Sequence, residues 1–204
     1  PNLVTIEDLG SAMGVPYLIM GYAGEETLAK RLKQGPMEPA AALLTFVQTA
    51  RGVLALHDRR LVHFDLKPSN VFLKGEVARV GDYGLSKLLT DGRTTLSSGR
   101  GTPQYMAPEM MQGRADHRAD LYSLGIILFE MLTGDLPFEA LDGGGLVMRT
   151  QDDPPKFPAG FPARLRPVVE ACLRLKPDDR PADVGEILAE LDQTARPGDS
   201  VAID

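Results

Sequence analysis

The sequence contains few cysteine and aromatic residues, and fewer basic than acidic ones, although each of these types is abundant in particular classes of protein. Its 204 residues include one cysteine, Cys172, and no tryptophan, and aromatic residues make up 6% of the chain. A single cysteine excludes an intrachain disulfide and fits a reducing compartment. Basic residues number 22 against 28 acidic ones, for a formal net charge of −6. This balance gives no general electrostatic reason to bind nucleic acid or an anionic membrane surface.

The sequence also lacks a long hydrophobic run. The longest apolar stretch, residues 124–129, is short and is followed by Glu130. It predicts a buried helix, because a membrane span needs roughly 18–20 apolar residues. Apolar residues make up 43% and charged residues 25% of the chain. These values are typical of globular proteins, and the length indicates one domain, or at most two, with ample core.

The order of the patterns predicts strands first and then mostly helices, which is an α+β fold that is predominantly α-helical. Strands are predicted at residues 3–6, 17–20, 71–73 and 77–80. Helices are predicted at residues 27–33, from 39 onward, 118–133, 162–175 and 181–191. Residues 92–108, rich in Gly, Ser, Thr and Pro, predict a long loop, and residues 142–145 and 152–155 predict turns.

Residues with catalytic potential are concentrated in residues 63–70, His-Phe-Asp-Leu-Lys-Pro-Ser-Asn. This irregular segment contains the carboxylate of Asp65, the amine of Lys67 and the amide of Asn70. A second carboxylate, Asp82, begins the tripeptide Asp-Tyr-Gly directly after a predicted strand. A single Asp in a turn is usually a solvated residue or a helix cap. The order and spacing of the whole set are therefore more informative than any one of these residues.

With residues 101–109, Gly-Thr-Pro-Gln-Tyr-Met-Ala-Pro-Glu, these motifs resemble the Hanks-type serine/threonine protein kinase family. The resemblance runs from the first residues to Arg180. It implies the large C-terminal lobe of a kinase at residues 23–192, with short strands around the catalytic loop. Residues 1–22 correspond to small-lobe strands and the start of the hinge, and residues 193–204 are expected to form a frayed tail.

The resemblance implies a role for each reactive group, with ATP and Mg²⁺ as cofactors and a Ser or Thr hydroxyl of a protein as substrate. Phosphoryl transfer requires mainly positioning and neutralisation of charge. Asp65 is expected to orient or accept the hydroxyl proton, and Lys67 to lie against the γ-phosphate. Asn70 and Asp82 are expected to hold Mg²⁺, which prefers oxygen ligands. Thr102 matches the threonine that hydrogen-bonds the catalytic Asp and Lys in serine/threonine-directed kinases.

The same resemblance indicates the nucleotide contacts. Met20 occupies the gatekeeper position, so Gly21 and Ala23 are expected to offer hinge backbone groups to adenine. Phe72 is expected to pack beneath the adenine ring. For Met20 and Phe72 the alternative is plain core packing.

Three further residues match structural positions of the family. Glu109 and Arg180 match a buried ion pair between the end of the activation segment and the late helices. Asp120 matches the helix residue that braces the backbone of the catalytic loop.

The sequence departs from the family pattern at its N-terminal end. No Gly-rich phosphate loop, strand lysine or helix glutamate precedes these motifs, and residues 1–4 resemble the start of the fourth small-lobe strand. We expect a small lobe in cis, or a partner, to cover this face, and homodimerisation is an alternative. The isolated chain is expected to transfer phosphate very poorly or not at all. The second hypothesis is a non-catalytic pseudokinase that serves as a protein-interaction module.

Two substitutions within the motifs carry further expectations. Phe64 stands where many kinases have an arginine that captures an activation-loop phosphate, so we expect no switch through that contact. Tyr83 stands where Phe is more usual and fits the same apolar position if its hydroxyl finds a partner. The expected location is cytoplasmic, either free or as the cytosolic part of a membrane-anchored kinase, with no membrane span in this chain.

Overall fold

The computed structural model describes residues 1–83, 103–138 and 155–194. In these ranges the strands are β1 Ile6–Ala12, β2 Val15–Met20, β3 Glu26–Thr27, β4 Val71–Lys74 and β5 Val77–Val80. The α-helices are α1 Leu28–Leu32, α2 Pro39–His57, α3 Arg118–Thr133, α4 Arg166–Cys172 and α5 Val184–Thr194. Short 3₁₀ turns lie at Pro68–Asn70, Pro103–Tyr105, Pro108–Gln112 and Pro177–Asp179. Two small sheets followed by helices confirm the α+β, mainly helical class.

The core is built around α3. Most of its residues are buried, including the predicted run at 124–129. Gly125 lets α4 approach closely, because a Cβ at this position would lie 2.7 Å from the Cβ of Cys172. Burial raises the pKa of the Cys172 thiol to about 12, so this side chain acts as a small apolar group. The helix ends at Gly134, whose φ of 79° provides a left-handed cap.

The second long helix, α2, packs against α3, α5 and β5. Phe46, Ala50 and Val53 lie on its fully buried side. By length and composition α2 is also apolar enough to cross a membrane, the one helix in the described ranges with this property. The core helix of a globular domain has the same composition, and α2 occupies that place here.

The N-terminal strands differ in their bounds from the prediction. The predicted pair is present as the antiparallel hairpin of β1 and β2, but β1 begins at Ile6 rather than at residue 3. Leu3 instead forms a parallel bridge with Val80 of β5. The hairpin turn consists of Met13 and Gly14, with φ values of 53° and 78° that suit a tight two-residue connection. The predicted strands at residues 71–73 and 77–80 are confirmed, and β3 adds a third strand to their sheet in the order β3-β4-β5.

The fourth helix begins later than the prediction of residues 162–175. The Leu165 N–H donates to the Pro162 carbonyl at 3.0 Å, which closes a separate turn before the helix. Helix α4 then starts at Arg166 and ends at Cys172, with Pro167 in its first turn. Proline is tolerated there because the first-turn N–H groups have no intrahelical partner.

The last helix also begins later than predicted and extends further. The Asp183 carboxylate accepts from the Glu186 N–H at 3.0 Å, and the Glu186 carboxylate accepts from the Ala182 N–H at 2.7 Å. This reciprocal capping starts α5 at Val184 instead of residue 181. The helix continues to Thr194, so the first two residues of the expected tail at 193–204 are helical. Residues 195–204, and the predicted loop and turn residues 92–102, 142–145 and 152–154, lie outside the described residues.

The predicted ion pair between Glu109 and Arg180 is present and buried. The two guanidinium Nη atoms of Arg180 lie 2.6 and 2.8 Å from the two carboxylate oxygens of Glu109. The Arg180 side chain has no exposed surface and also donates to the backbone carbonyls of Arg174, Arg118 and Leu175. The pair therefore ties the end of the activation segment to the turn that precedes α5.

A second, partly buried polar contact joins Tyr105, three residues before Pro108, to α3. The Tyr105 hydroxyl donates to Glu130 at 2.6 Å. Burial raises the pKa of Glu130, and the hydrogen bond from Tyr105 partly offsets this rise. Burial and the neighbouring carboxylate raise the pKa of Tyr105 well above its ordinary value, so the phenol remains a donor.

We expect Glu109→Ala to lower the free energy of unfolding by about 3–5 kcal/mol, because it leaves the buried guanidinium without its carboxylate. The matched control is Asp178→Ala. Asp178 pairs with Arg118 at 2.6 Å, but its side chain is 87% exposed, so we expect a change within about 1 kcal/mol. Urea unfolding followed by circular dichroism measures both, and equal losses would contradict the assignment.

We expect Tyr105→Phe to destabilise the protein by about 1.5–3 kcal/mol at neutral pH, because a charged carboxylate loses its donor. The raised pKa of Glu130 means that ionisation of this group costs stability as the pH rises from the ordinary glutamate value through the folded-state pKa. The loss should therefore shrink as the pH falls toward 4.5 and Glu130 becomes neutral. Urea unfolding across this range tests the sign, with the exposed Tyr17→Phe as control.

Candidate active site

The structure brings Asp65, Lys67 and Asn70 into one hydrogen-bonded group. The Lys67 Nζ lies 2.8 and 3.0 Å from the two carboxylate oxygens of Asp65. The Asn70 Nδ2 donates to the main-chain carbonyl of Asp65 at 2.8 Å. The Asp65 side chain is 46% exposed, whereas that of Lys67 is 15% exposed. The Asp65 carboxylate is thus held in place by Lys67 and remains accessible to an incoming molecule.

Asp120 braces this loop from α3, as the sequence predicts. Its two carboxylate oxygens accept the main-chain N–H groups of His63 and Phe64, each at 2.8 Å. The carboxylate has no exposed surface. Phe64 adopts a φ of 60°, in the left-handed region that side chains larger than glycine rarely occupy. The brace holds the loop in this strained conformation.

His57 has no place among the sequence predictions, yet it completes the environment of Asp120. It ends α2, and its Nε2 lies 2.9 Å from the Asp120 carboxylate. This nitrogen is the donor, because a carboxylate only accepts. The buried Nδ1 has no partner in the part of the chain that the structure describes. The available sequence signal is a histidine at the end of an amphipathic helix, six residues before His63.

His63 and Gly81 connect the catalytic loop to the turn after β5. The His63 Nδ1 accepts from the Asp65 N–H at 3.3 Å, so its Nε2 is assigned as the donor to the Gly81 carbonyl at 3.0 Å. The Gly81 N–H donates to the Asn70 carbonyl at 2.9 Å. A side chain does not fit here, because a Cβ on Gly81 would lie 2.7 Å from the Phe72 ring. Gly81 was not among the predicted site residues.

The next residue, Asp82, completes the set of oxygen ligands expected for a cation. It is partly buried and has a φ of 56°. The Asn70 Nδ2 is engaged by the Asp65 carbonyl, and among the described residues the Asn70 Oδ1 has only a 3.4 Å contact from the Ser69 hydroxyl. No group of three or more His, Cys, Asp or Glu residues suited to a metal occurs in the described residues. One carboxylate and one amide oxygen fit Mg²⁺, which usually takes few protein ligands and completes its shell with phosphate and water.

The predicted nucleotide contacts lie at the end of β2 and on β4. Met20 is 38% exposed, so plain core packing does not describe it. The Gly21 N–H donates to the Thr5 carbonyl at 2.8 Å. Across the described ranges, the Gly21 carbonyl and the Ala23 N–H have no hydrogen-bond partner, and both are suited to a purine edge. Phe72 is partly buried on β4, next to Gly81.

Some predicted site residues fall outside the described ranges. Thr102 is one of them, so its contact with Asp65 and Lys67 stays a prediction. Four hydroxyl residues of the predicted loop at 92–108, Thr94, Thr95, Ser97 and Ser98, also lie outside the described ranges.

Comparisons with known proteins identify the family of the chain. Residues 1–191 match the model of the protein kinase domain. The serine/threonine-protein kinase PkaA of Streptomyces coelicolor is 38% identical over 193 residues, covering 89% of this chain and 35% of that protein. The serine/threonine-protein kinase pkn2 of Myxococcus xanthus is 39% identical over 148 residues, covering 68% and 18%. The mouse serine/threonine-protein kinase Nek5 is 32% identical over 189 residues, covering 89% and 30%.

This chain thus spans about a third or less of the length of these relatives. The family match nevertheless includes all the site residues described above, from the hinge to the late helices. The chain belongs to the Hanks-type protein kinase family.

Proposed function

We propose that this protein is a serine/threonine protein kinase that transfers the γ-phosphate of ATP to Ser or Thr hydroxyls of other proteins. The observation that carries the proposal is the group formed by Asp65, Lys67 and Asn70, joined through Gly81 to Asp82. A surface whose only task is binding has no physical need for this combination of base, cation and oxygen ligands. The named relatives are serine/threonine kinases, which favours that substrate class.

In the proposed mechanism Asp65 orients the substrate hydroxyl and accepts its proton as the oxygen attacks. Its exposed carboxylate and fixed backbone suit this positioning role. The Lys67 ammonium, held 2.8 Å from that carboxylate, offsets negative charge on the phosphoryl group beside it. Mg²⁺, held by Asn70 and Asp82, would supply charge neutralisation at the phosphates.

The adenine ring is proposed to bind at the hinge, next to residues 20–23. The Gly21 carbonyl and Ala23 N–H provide one acceptor and one donor, and Met20 and Phe72 provide apolar contact. Thr102 is proposed to hydrogen-bond Asp65 and Lys67. ATP use also supports a cytoplasmic location, free or as the cytosolic part of a membrane-anchored kinase.

The exposed hairpin of β1 and β2 indicates which surface of the chain a partner would cover. Its side chains are mostly exposed, with Leu9 at 60% and Val15 at 65% exposure. An isolated two-stranded hairpin is marginally stable in water. We propose that a small lobe in cis, or a partner in its place, covers this surface, and a second copy of the chain is the alternative. Without that cover, residues 1–204 should transfer phosphate very poorly, because water reaches the phosphates.

We expect Asp65→Asn to reduce phosphate transfer by about 10²–10⁴-fold, since the neutral amide cannot accept the proton. The measurement is transfer of labelled γ-phosphate by the complete encoded polypeptide to a protein substrate. The matched control is Asp58→Asn, an exposed residue at the end of α2, which should leave the rate unchanged. No transfer by a folded protein that also fails to bind Mg·ATP would favour the non-catalytic interaction module.

We expect Asp82→Asn to weaken the Mg²⁺-dependent part of ATP binding by about 10- to 100-fold, by loss of a charged ligand. ATP binding without Mg²⁺ should change little, because the adenine contacts lie elsewhere. Calorimetric titration with ATP at several Mg²⁺ concentrations separates the two effects. An unchanged Mg²⁺ requirement would remove Asp82 from the proposed metal site.

A further inference from the structure

The tyrosine that follows Asp82 makes a hydrogen bond that phenylalanine, the more usual residue there, cannot make. The Tyr83 hydroxyl donates to the main-chain carbonyl of Val4 at 2.6 Å, across 79 positions of sequence. A backbone carbonyl only accepts, so the phenol hydroxyl is the donor in this bond. The bond joins the turn that carries Asp82 to the segment preceding β1.

Val4 is a fixed point of attachment. It is 4% exposed, and its own N–H donates to the Val80 carbonyl at 2.9 Å. The Val80 N–H in turn donates to the Asn2 carbonyl at 2.9 Å, so residues 2–4 run along β5. The Asn2 side chain adds bonds to the Ala78 carbonyl at 2.9 Å and to Gln48 at 3.2 Å. The acceptor of the Tyr83 hydroxyl is therefore held on α2 and β5.

Asp82 requires support on both sides because its φ of 56° is rare for a residue with a side chain. On its N-terminal side Gly81 is held by the Asn70 carbonyl and by His63. On its C-terminal side, the support that the described residues provide is the hydrogen bond from the Tyr83 hydroxyl to the Val4 carbonyl. A turn fixed at one end only would let the Asp82 carboxylate sample other orientations.

We propose that Tyr83 is a positioning residue, whose hydroxyl anchors the Asp82 turn to the Val4 carbonyl and so orients the Asp82 carboxylate toward the metal. This proposal rests on the proposed role of Asp82 as a Mg²⁺ ligand. The anchor itself is a property of the free protein. Its effect on the metal is indirect, because Tyr83 acts through the backbone of its neighbour.

The test is Tyr83→Phe, which removes one oxygen atom and keeps the ring. The matched control is Tyr17→Phe, at an exposed position on β2. Hydrogen exchange of the Val4 and Gly81 amides in the free protein reports on the anchor, since both donate to identified acceptors. The Val169 amide of α4, which donates to the Leu165 carbonyl at 3.1 Å, reports on general stability.

We expect exchange at Val4 and Gly81 to become about five- to tenfold faster in Tyr83→Phe, the effect of losing one hydrogen bond. Exchange at Val169 should be unchanged, and Tyr17→Phe should change none of the three amides. The half-saturating Mg²⁺ concentration for ATP binding should rise by a similar factor, with metal-free ATP binding unaffected.

If the Val4 and Gly81 amides exchange at the same rates in Tyr83→Phe as in the parent protein, the proposed anchor is wrong. A uniform acceleration that includes Val169 would overturn it as well, because the bond would then contribute only to general stability. Faster local exchange with an unchanged Mg²⁺ requirement would overturn the positioning role. If the parent protein binds no ATP at any Mg²⁺ concentration, the proposed function of Asp82 fails, whereas the exchange rates still decide the anchor.

Discussion

One buried carboxylate, that of Asp120, holds the catalytic loop against the helical core. It lies on α3 with no exposure and is surrounded by two main-chain N–H groups of the loop and the Nε2 of His57. A buried charge without donors is costly, so these contacts favour one arrangement of loop and helix. The loop needs this support because Phe64 adopts a left-handed conformation, which side chains larger than glycine rarely occupy. The position of the reactive groups therefore depends on the packing of α3.

The contacts that begin at Asp120 continue through His63 and Gly81 to the other parts of the site. His63, whose N–H is held by Asp120, contacts Gly81 through its ring, and Gly81 contacts Asn70. Each link connects two segments that are distant in sequence. The exposed carboxylate of Asp65 and the largely buried amine of Lys67 are thus positioned by contacts from within the fold. This arrangement suits phosphoryl transfer, in which the protein contributes mainly position and charge.

Local sequence signals determined the elements whose start and stop lie within a few residues of each other. Helix α3 has the predicted bounds, because the apolar run and Gly134 act locally. The turn between β4 and β5 was likewise predictable from residues 74–76. The predicted bounds of α4 and α5 were less accurate. A proline marks the region where a helix begins but does not determine its first residue. For α5 the reciprocal capping by Asp183 and Glu186 decides the start.

The sequence by itself determined the family, the reactive groups and their spacing, because these are carried by short motifs. It did not determine the partners of His57 or Tyr83, nor the need for glycine at position 81. Those contacts cross 63 residues to Asp120 and 79 residues to Val4. Which groups meet over such distances depends on how α2, α3 and β5 pack, since any donor at these positions fits the local pattern. Only the tertiary structure therefore decided how the site is held in place.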